Sequence, residues 1–204
     1  MASLGNDNKE VVIIKYYAGY IQSVLYAFER IGINAVVSDD HDMIKNARKV
    51  VFPGVGEASS AMAYLKEREL DKLIIELKQP VLGICLGMQL MCRHTEENDT
   101  ECLGIFSEDV KRFRPVNNEK VPQIGWNNIF HLKSDLFNGV PEQTHIYSVH
   151  SYYASEGAET IATADYIHPY SAALHRNNFY GVQFHPEKSA AAGEQILKNF
   201  FAMN

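Results

Sequence analysis

The chain has 204 residues, 46% hydrophobic and 22% charged, which suits one globular domain with a sizeable core and no separate second domain. Its formal net charge of -6 excludes a surface built for nucleic acid or an anionic membrane, since either would repel an acidic protein without a strong basic patch. The basic run Lys111, Arg112, Arg114 reads as a solvated strand end or a surface for an anionic partner.

Cys85, Cys92 and Cys102 show neither disulfide nor metal-type spacing and point to a reducing compartment. The histidines are likewise scattered, so neither a metal nor a cofactor is expected. No signal-peptide core or membrane-length apolar run is present, and the expected location is cytoplasmic.

Residues 1–10 read as a polar leader and 11–204 as a single domain. Val11 to Ile14 is a continuous apolar run of strand length, typical of a parallel strand covered on both faces. Ile21, Val24, Leu25, Phe28 and Ile31 recur at helical spacing before Gly32, a C-cap residue, and a strand follows over Ile33 to Val37. Ser38 to Asp40 cap a short helix through Ala47. The strand Val50 to Phe52 runs into Pro53-Gly54-Val55-Gly56, helical patterns cover Glu57 to Lys66 and Glu69 to Lys78, and a further strand leads to Cys85. Strands alternating with helices imply a parallel α/β sheet. Beyond the cysteine the chain becomes β-rich, with strands expected at Ile105-Phe106, Trp126 to Phe130 and His145 to Tyr153, as a mixed or antiparallel extension. Ser171 to His175 and Phe179 to Phe184 read as a hairpin around Arg176-Asn177-Asn178, followed by a helix from Ser189.

Gly83-Ile84-Cys85-Leu86-Gly87 has the form of a nucleophile elbow with sulfur in place of oxygen. The flanking glycines are expected to relieve a strained turn, and the following helix N-terminus to favour the thiolate. A buried structural cysteine is the ordinary reading of such a residue; the paired glycines argue for catalysis. His185 is the candidate base, with Glu187 two residues on, where an extended chain would point both side chains the same way. The backbone N–H groups of Leu86 and of Val55, in the glycine-rich loop, are the candidate donors to an oxyanion.

Together GICLGMQ, PGVG and FHPEKS resemble the class I, triad-type glutamine amidotransferases. PQIGWN at 122–127 and YSVHSY at 147–152 make the chain similar, over nearly its whole length from Val11, to the glutaminase subunits of imidazole glycerol phosphate synthase. The resemblance implies a flavodoxin-like α/β/α fold with a mostly parallel central sheet. It implies that Cys85 attacks the carboxamide of L-glutamine to give a thioester and ammonia, with Gly54, Gln89, Glu97, His150, Ser151 and Tyr152 at the substrate. Glu96 adjoins Glu97, and the register leaves the choice between them open.

The implied partner is a (β/α)8-barrel cyclase, in a heterodimer that makes imidazole glycerol phosphate and aminoimidazole carboxamide ribotide in histidine biosynthesis. Tyr20, Trp126, Asn127 and Lys188 match positions at or near that interface. Lys15, Tyr17 and Tyr20 depart from the family's acid, glycine and asparagine, and either alter docking or cover a strand–helix junction. Two other readings stand beside this one. A glutaminase of a different synthase is separated by partner choice, and a non-catalytic flavodoxin-like regulatory subunit is opposed by the intact Cys85, His185 and Glu187.

Overall fold

The computed structural model describes residues 10–16 and 21–204, so Met1 to Lys9, Tyr17 and Tyr20 lie outside the described residues. Strand and helix alternate through β1 (Val11–Ile14), α1 (Ile21–Arg30), β2 (Ala35–Ser38), α2 (His41–Lys45), β3 (Lys49–Phe52), α3 (Ala58–Glu67), α4 (Leu70–Glu76), β4 (Val81–Ile84) and α5 (Leu86–Met91). Local chemistry sets the bounds. Beyond α1 the chain turns at Gly32, whose φ of +77° is open to glycine without a Cβ clash. The Asp40 carboxylate accepts the Met43 N–H at 2.8 Å to start α2, and Glu57 accepts those of Ser59 and Ser60 at 2.6 and 2.9 Å to start α3.

The second half supplies β5 (His94–Thr95), β6 (Thr100–Glu101), β7 (Asp109–Arg112), β8 (Gln123–Phe130), β9 (Thr144–His150), β10 (Tyr152–Ala154), β11 (Thr160–Asp165), β12 (Pro169–Arg176), β13 (Phe179–Val182) and α6 (Ala190–Ala202). The sheet runs β2-β1-β3-β4-β13-β12-β10-β7-β5-β6, with β11, β8 and β9 branching from β12. From β2 to β13 all neighbours are parallel, and β13 to β12 is the first antiparallel step.

Alternate strand residues feed opposite cores. Val12, Ile14, Val50 and Phe52 pack with Leu65, Leu73 and Met88 of α3, α4 and α5, whereas Val11, Ile13, Val51 and Leu82 pack with Phe28 of α1 and Leu197 of α6. The result is the expected flavodoxin-like three-layer α/β/α arrangement with a β-rich extension. Among the described residues no helix is long and apolar enough to cross a membrane.

Three expectations are corrected. Ile105-Phe106 is not a strand. Its neighbourhood caps α5 instead, with Leu103, Gly104 and Phe106 N–H groups donating to the Leu90, Cys92 and Met91 carbonyls at 2.8–2.9 Å. The strand expected over His145 to Tyr153 breaks at Ser151, where the chain passes from β8 as neighbour to β7 and β12. Arg176 is paired with Phe179, so the hairpin turn is Asn177-Asn178 alone, with Asn177 at φ +56°.

Candidate active site

The parallel strands β3, β4 and β13 end side by side, with Phe52 level with Gly83 and Val182 level with Ile84. Their carboxyl ends therefore deliver the Pro53 to Gly56 loop, Cys85 and His185 to one edge of the sheet, where open α/β sheets bind ligands.

Cys85 makes the corner between β4 and α5 at φ +54°, ψ −111°, a conformation costing about 1–3 kcal/mol for a residue with a side chain. It is held there by its N–H on the Val182 carbonyl at 2.8 Å and by its own carbonyl, which accepts the Gln89 N–H at 3.1 Å. The strain sits on the nucleophile and not on its flanking glycines, neither of which has a positive φ. Gly83 and Gly87 are required for a different reason: α5 lies directly on the sheet. A Cβ at Gly87 would enter the Phe52 carbonyl oxygen, and one at Gly83 would stand 2.7 Å from Met91 Sδ and 2.8 Å from the Met88 nitrogen.

His185 Nδ1 meets Glu187 Oε1 at 2.8 Å, and both side chains are almost fully buried. The contact is the expected one, reached differently. Pro186–Lys188 forms a 3-10 turn, so the turn and not an extended chain brings the carboxylate back. Ser189 Oγ braces it, donating to the His185 carbonyl at 2.6 Å and accepting the Tyr147 N–H at 2.9 Å. Since a carboxylate only accepts, Nδ1 carries a proton and Nε2 is left to face Cys85. Burial pulls the His185 pKa down, but the charge of Cys85, a hydrogen bond to it and Glu187 outweigh that and push it up to about 10. The site thus favours the imidazolium form of His185.

A cavity of about 440 Å³ opens onto this pair, lined by Val55, Leu86, Gln89, Glu97, His150, Ser151, Tyr152 and Lys188 among others. Each was a candidate from the sequence. Glu97 Oε2 accepts the Ala58 N–H at 2.8 Å, and burial, only partly countered by that bond, raises its pKa. Glu96 lies elsewhere, accepting the Arg112 N–H at 2.9 Å and facing Arg114. His150 Nδ1 reaches the Tyr152 carbonyl at 2.7 Å, and burial lowers its pKa to about 4 despite that bond. Gly54 is not part of the lining. It sits behind it, where a Cβ would come within 2.8 Å of the Gly87 nitrogen and Leu86 Cβ.

The two candidate oxyanion donors do not converge. The Leu86 N–H donates to the Gly54 carbonyl at 3.2 Å. In a trans peptide the carbonyl and the following N–H point in opposite directions, so the Val55 N–H is turned away from the Leu86 N–H.

At the rim, Trp126 is 54% exposed, and its ring meets that of Tyr147 edge-on with centroids 6.0 Å apart. Ile124, two residues earlier on the same side of β8, is 66% exposed. Lys188 Nζ stands 6.0 Å from the Tyr147 ring centre. Asn127 is engaged within the fold, donating to the Asp165 carbonyl at 3.0 Å and accepting the Asn128 N–H at 2.8 Å.

Tyr16, read from the sequence with Tyr17 and Tyr20 as covering the first strand–helix junction, is buried under the glycine loop with its hydroxyl on the Pro53 carbonyl at 2.5 Å. One neighbour of the site was not singled out from sequence: Gln183, two residues before the histidine, places Nε2 3.7 Å from Cys85 Sγ. Its position inside GVQFHPE was the available signal.

The family model described as glutamine amidotransferase class-I matches residues 12–204. The imidazole glycerol phosphate synthase subunit HisH of Bacteroides fragilis (strain YCH46) is 57% identical over 95% of this chain and 100% of its own length. The subunit of the same name from Bacteroides thetaiotaomicron is 55% identical over 94% and 98%, and that of Haemophilus influenzae (strain 86-028NP) 44% over 93% and 96%. Among solved structures, a glutamine amidotransferase superposes with TM-score 0.70 at 15% identity, covering 93% of this chain and 96% of its own. PurLQS from Thermotoga maritima gives 0.65 at 14%, with the same coverage. These two similarities speak for the fold.

Proposed function

The chain belongs to the class-I glutamine amidotransferase family, and from that membership we propose that it is the glutaminase subunit of an imidazole glycerol phosphate synthase, working through Cys85, His185 and Glu187. The observation that carries this reading is the meeting of a strained cysteine and a carboxylate-held histidine at the mouth of one cavity.

The thiolate attacks the carboxamide carbon of glutamine, and the C=O electron pair moves onto oxygen. Collapse of that tetrahedral species breaks the C–N bond as His185 gives its Nε2 proton to the leaving nitrogen, releasing ammonia and leaving a γ-glutamyl thioester on Cys85. Water then attacks the thioester while His185 takes its proton, and a second collapse releases glutamate and restores the thiolate–imidazolium pair. Glu187 keeps the imidazole in the tautomer both steps need. Glu97 offers a carboxylate to the substrate ammonium, and Gln89, His150, Ser151 and Tyr152 shape the wall against which the side chain lies.

The ammonia passes to a (β/α)8-barrel cyclase, which uses it on a phosphoribosyl-containing substrate in histidine biosynthesis. Ammonia released to water would be protonated and lose its nucleophilicity, so the two sites must be joined. Ile124 and Lys188 line the cavity and, with the exposed Trp126 packed on Tyr147, form the partner face, while Asn127 shapes β8 beneath it. Tyr20, outside the described residues, is assigned to the interface by the family resemblance alone. Free thiols at Cys85, Cys92 and Cys102 accord with a cytoplasmic setting.

The Gly54–Val55 peptide is the regulated element. Rotating it would free the Leu86 N–H and bring the Val55 N–H toward the reacting carbonyl, completing a two-donor hole when the ligand-loaded cyclase docks. One such donor is worth about 10²–10³ in turnover, so ammonia release by the isolated chain should rise at least ~100-fold with the cyclase and its nucleotide substrate. Full activity in the isolated chain would remove the peptide rotation from this account, and an inert mixture with the matched cyclase would remove the pathway assignment.

A further inference from the structure

A line of buried polar side chains ends on the nucleophile, and no step above uses the hydrogen bonds that join its members. Tyr170 Oη lies 3.2 Å from Gln123 Oε1 and 3.4 Å from His150 Nε2, and His150 Nδ1 lies 2.7 Å from the Tyr152 carbonyl oxygen. The same oxygen accepts Gln89 Nε2 at 2.9 Å. That nitrogen's second hydrogen meets Gln183 Oε1, also at 2.9 Å, and Gln183 Nε2 faces Cys85 Sγ at 3.7 Å. Gln89 and Gln183 are 5% and 1% exposed.

The directions of the bonds from His150 through Gln89 to Gln183 follow from one atom. A carbonyl oxygen only accepts, so His150 must present Nδ1–H, and Gln89 its amide nitrogen, to Tyr152. Gln89 then has a second N–H to place, and Gln183 can take it only through Oε1. A reversed Gln183 amide would set two N–H groups against each other in a buried site, where unpaired donors are costly. The donor end of Gln183 is therefore turned toward the sulfur.

The geometry points to Gln183 as a positioning residue for the nucleophile: its amide N–H, locked in direction by Gln89 and the Tyr152 carbonyl, holds the Cys85 sulfur as a thiolate aimed into the cavity. The need for such a donor is visible in a second neighbour of the sulfur. The Val149 carbonyl oxygen stands 3.8 Å from Sγ, a group that accepts from S–H and repels S⁻. Gln183 presents the opposite dipole and offsets it. The remaining charged or titratable groups around the sulfur and its cavity are His185 with Glu187 behind it, the buried phenol of Tyr16, the neutral His150 and, in the cavity lining, Glu97, Lys188, Tyr147 and Tyr152. Of these, His185 and the Lys188 ammonium favour the thiolate through charge, and Gln183 adds a support of a different kind, a directed N–H.

The inference rests on the glutaminase reading only in taking Cys85 as the nucleophile, and the test needs neither glutamine nor partner. Alkylation of the full chain by iodoacetamide is followed against pH, with peptide mapping to separate Cys85 from Cys92 and Cys102. Gln183→Met, which keeps the volume and removes the donor, should move the midpoint for Cys85 up by about one pH unit, a tenfold loss of thiolate on the acid side of the profile. Gln183→Glu, which turns a carboxylate oxygen toward the sulfur, should move it further. A purely packing role would lower the unfolding temperature and leave the midpoint in place. Profiles superimposable on the wild type in either folded variant would overturn the proposal, so one variant decides if the other does not fold. His185→Asn is run alongside. If it shifts the midpoint and the Gln183 variants do not, only the role of Gln183 falls; if it too is without effect, the triad reading falls with it.

Discussion

Cys85→Ala should abolish ammonia release from glutamine, lowering turnover by at least ~10⁴-fold, because the covalent route is lost and only substrate binding and fixed dipoles remain. The fold should be nearly indifferent. Alanine, like cysteine, carries a Cβ and inherits the same backbone strain at φ +54°, and only one sulfur atom, on a cavity wall, is removed from the core cluster that Cys85 shares with Ile84 and Val182. The unfolding midpoint of the variant should stay within a few degrees of the wild type. His185→Asn should cost nearly as much activity, because the thiol then has no base and the leaving nitrogen no acid. A Cys85→Ala chain that kept activity within tenfold would contradict the assignment of the nucleophile.

Gly87→Ala should be one of the most damaging single added methyl groups among the described residues. Its Cβ would coincide with the Phe52 carbonyl, a backbone atom in a central parallel strand, and neither α5 nor β3 can retreat without opening the core between them. Overpacking of this kind costs about 1–3 kcal/mol where side chains can move and more where backbone is struck. A loss of about 3–5 kcal/mol corresponds to roughly a 10 °C fall in the unfolding midpoint for a chain of this size. Catalysis should suffer as well, since α5 carries both Leu86 and Gln89. Gly32→Ala is the matched control, with φ +77° but open space around the new methyl; only its backbone strain, about 1–2 kcal/mol, should appear. Equal effects of the two substitutions would show that the approach of α5 to β3 is not what Gly87 serves.

The first half of the fold was legible because its signals are local. Val11 to Ile14, Val50 to Phe52 and Val81 to Ile84 are buried on both faces, so they read as continuous apolar runs. The intervening helices keep one apolar stripe, as in Val24, Ala27 and Phe28 of α1. Cys85, His185 and Glu187 were legible for a similar reason: each stands in a short motif with unusual neighbours.

What escaped the sequence depends on long-range approach. Ile105 and Phe106 have strand-like side chains, yet their backbone closes the end of α5, which periodicity cannot express. β11, Thr160–Asp165, was not foreseen, because small residues and threonine give a weak pattern and its place between β12 and β8 is set by pairing. The glycines beside Cys85 were rightly singled out, but on turn strain, when their role is contact with β3 and with α5 itself. Glu96 and Glu97, adjacent in the sequence, part in space: Glu97 lines the cavity and reaches the Ala58 N–H, and Glu96 faces Arg114. Gln183 went unread because its partners, Gln89 and Cys85, are 94 and 98 positions away.

The central claim is that Cys85 carries the glutamyl group during turnover. The most direct measurement is to mix the chain, with its cyclase partner and that partner's substrate, with glutamine, quench in acid within a turnover, and map the adduct by mass spectrometry. The expected result is a γ-glutamyl group on the peptide containing Cys85, accumulating when His185 or Glu187 is altered so that hydrolysis of the thioester slows more than its formation. Ammonia release that proceeds in full with Cys85 unmodified, or with the glutamyl group on another residue, would contradict the account.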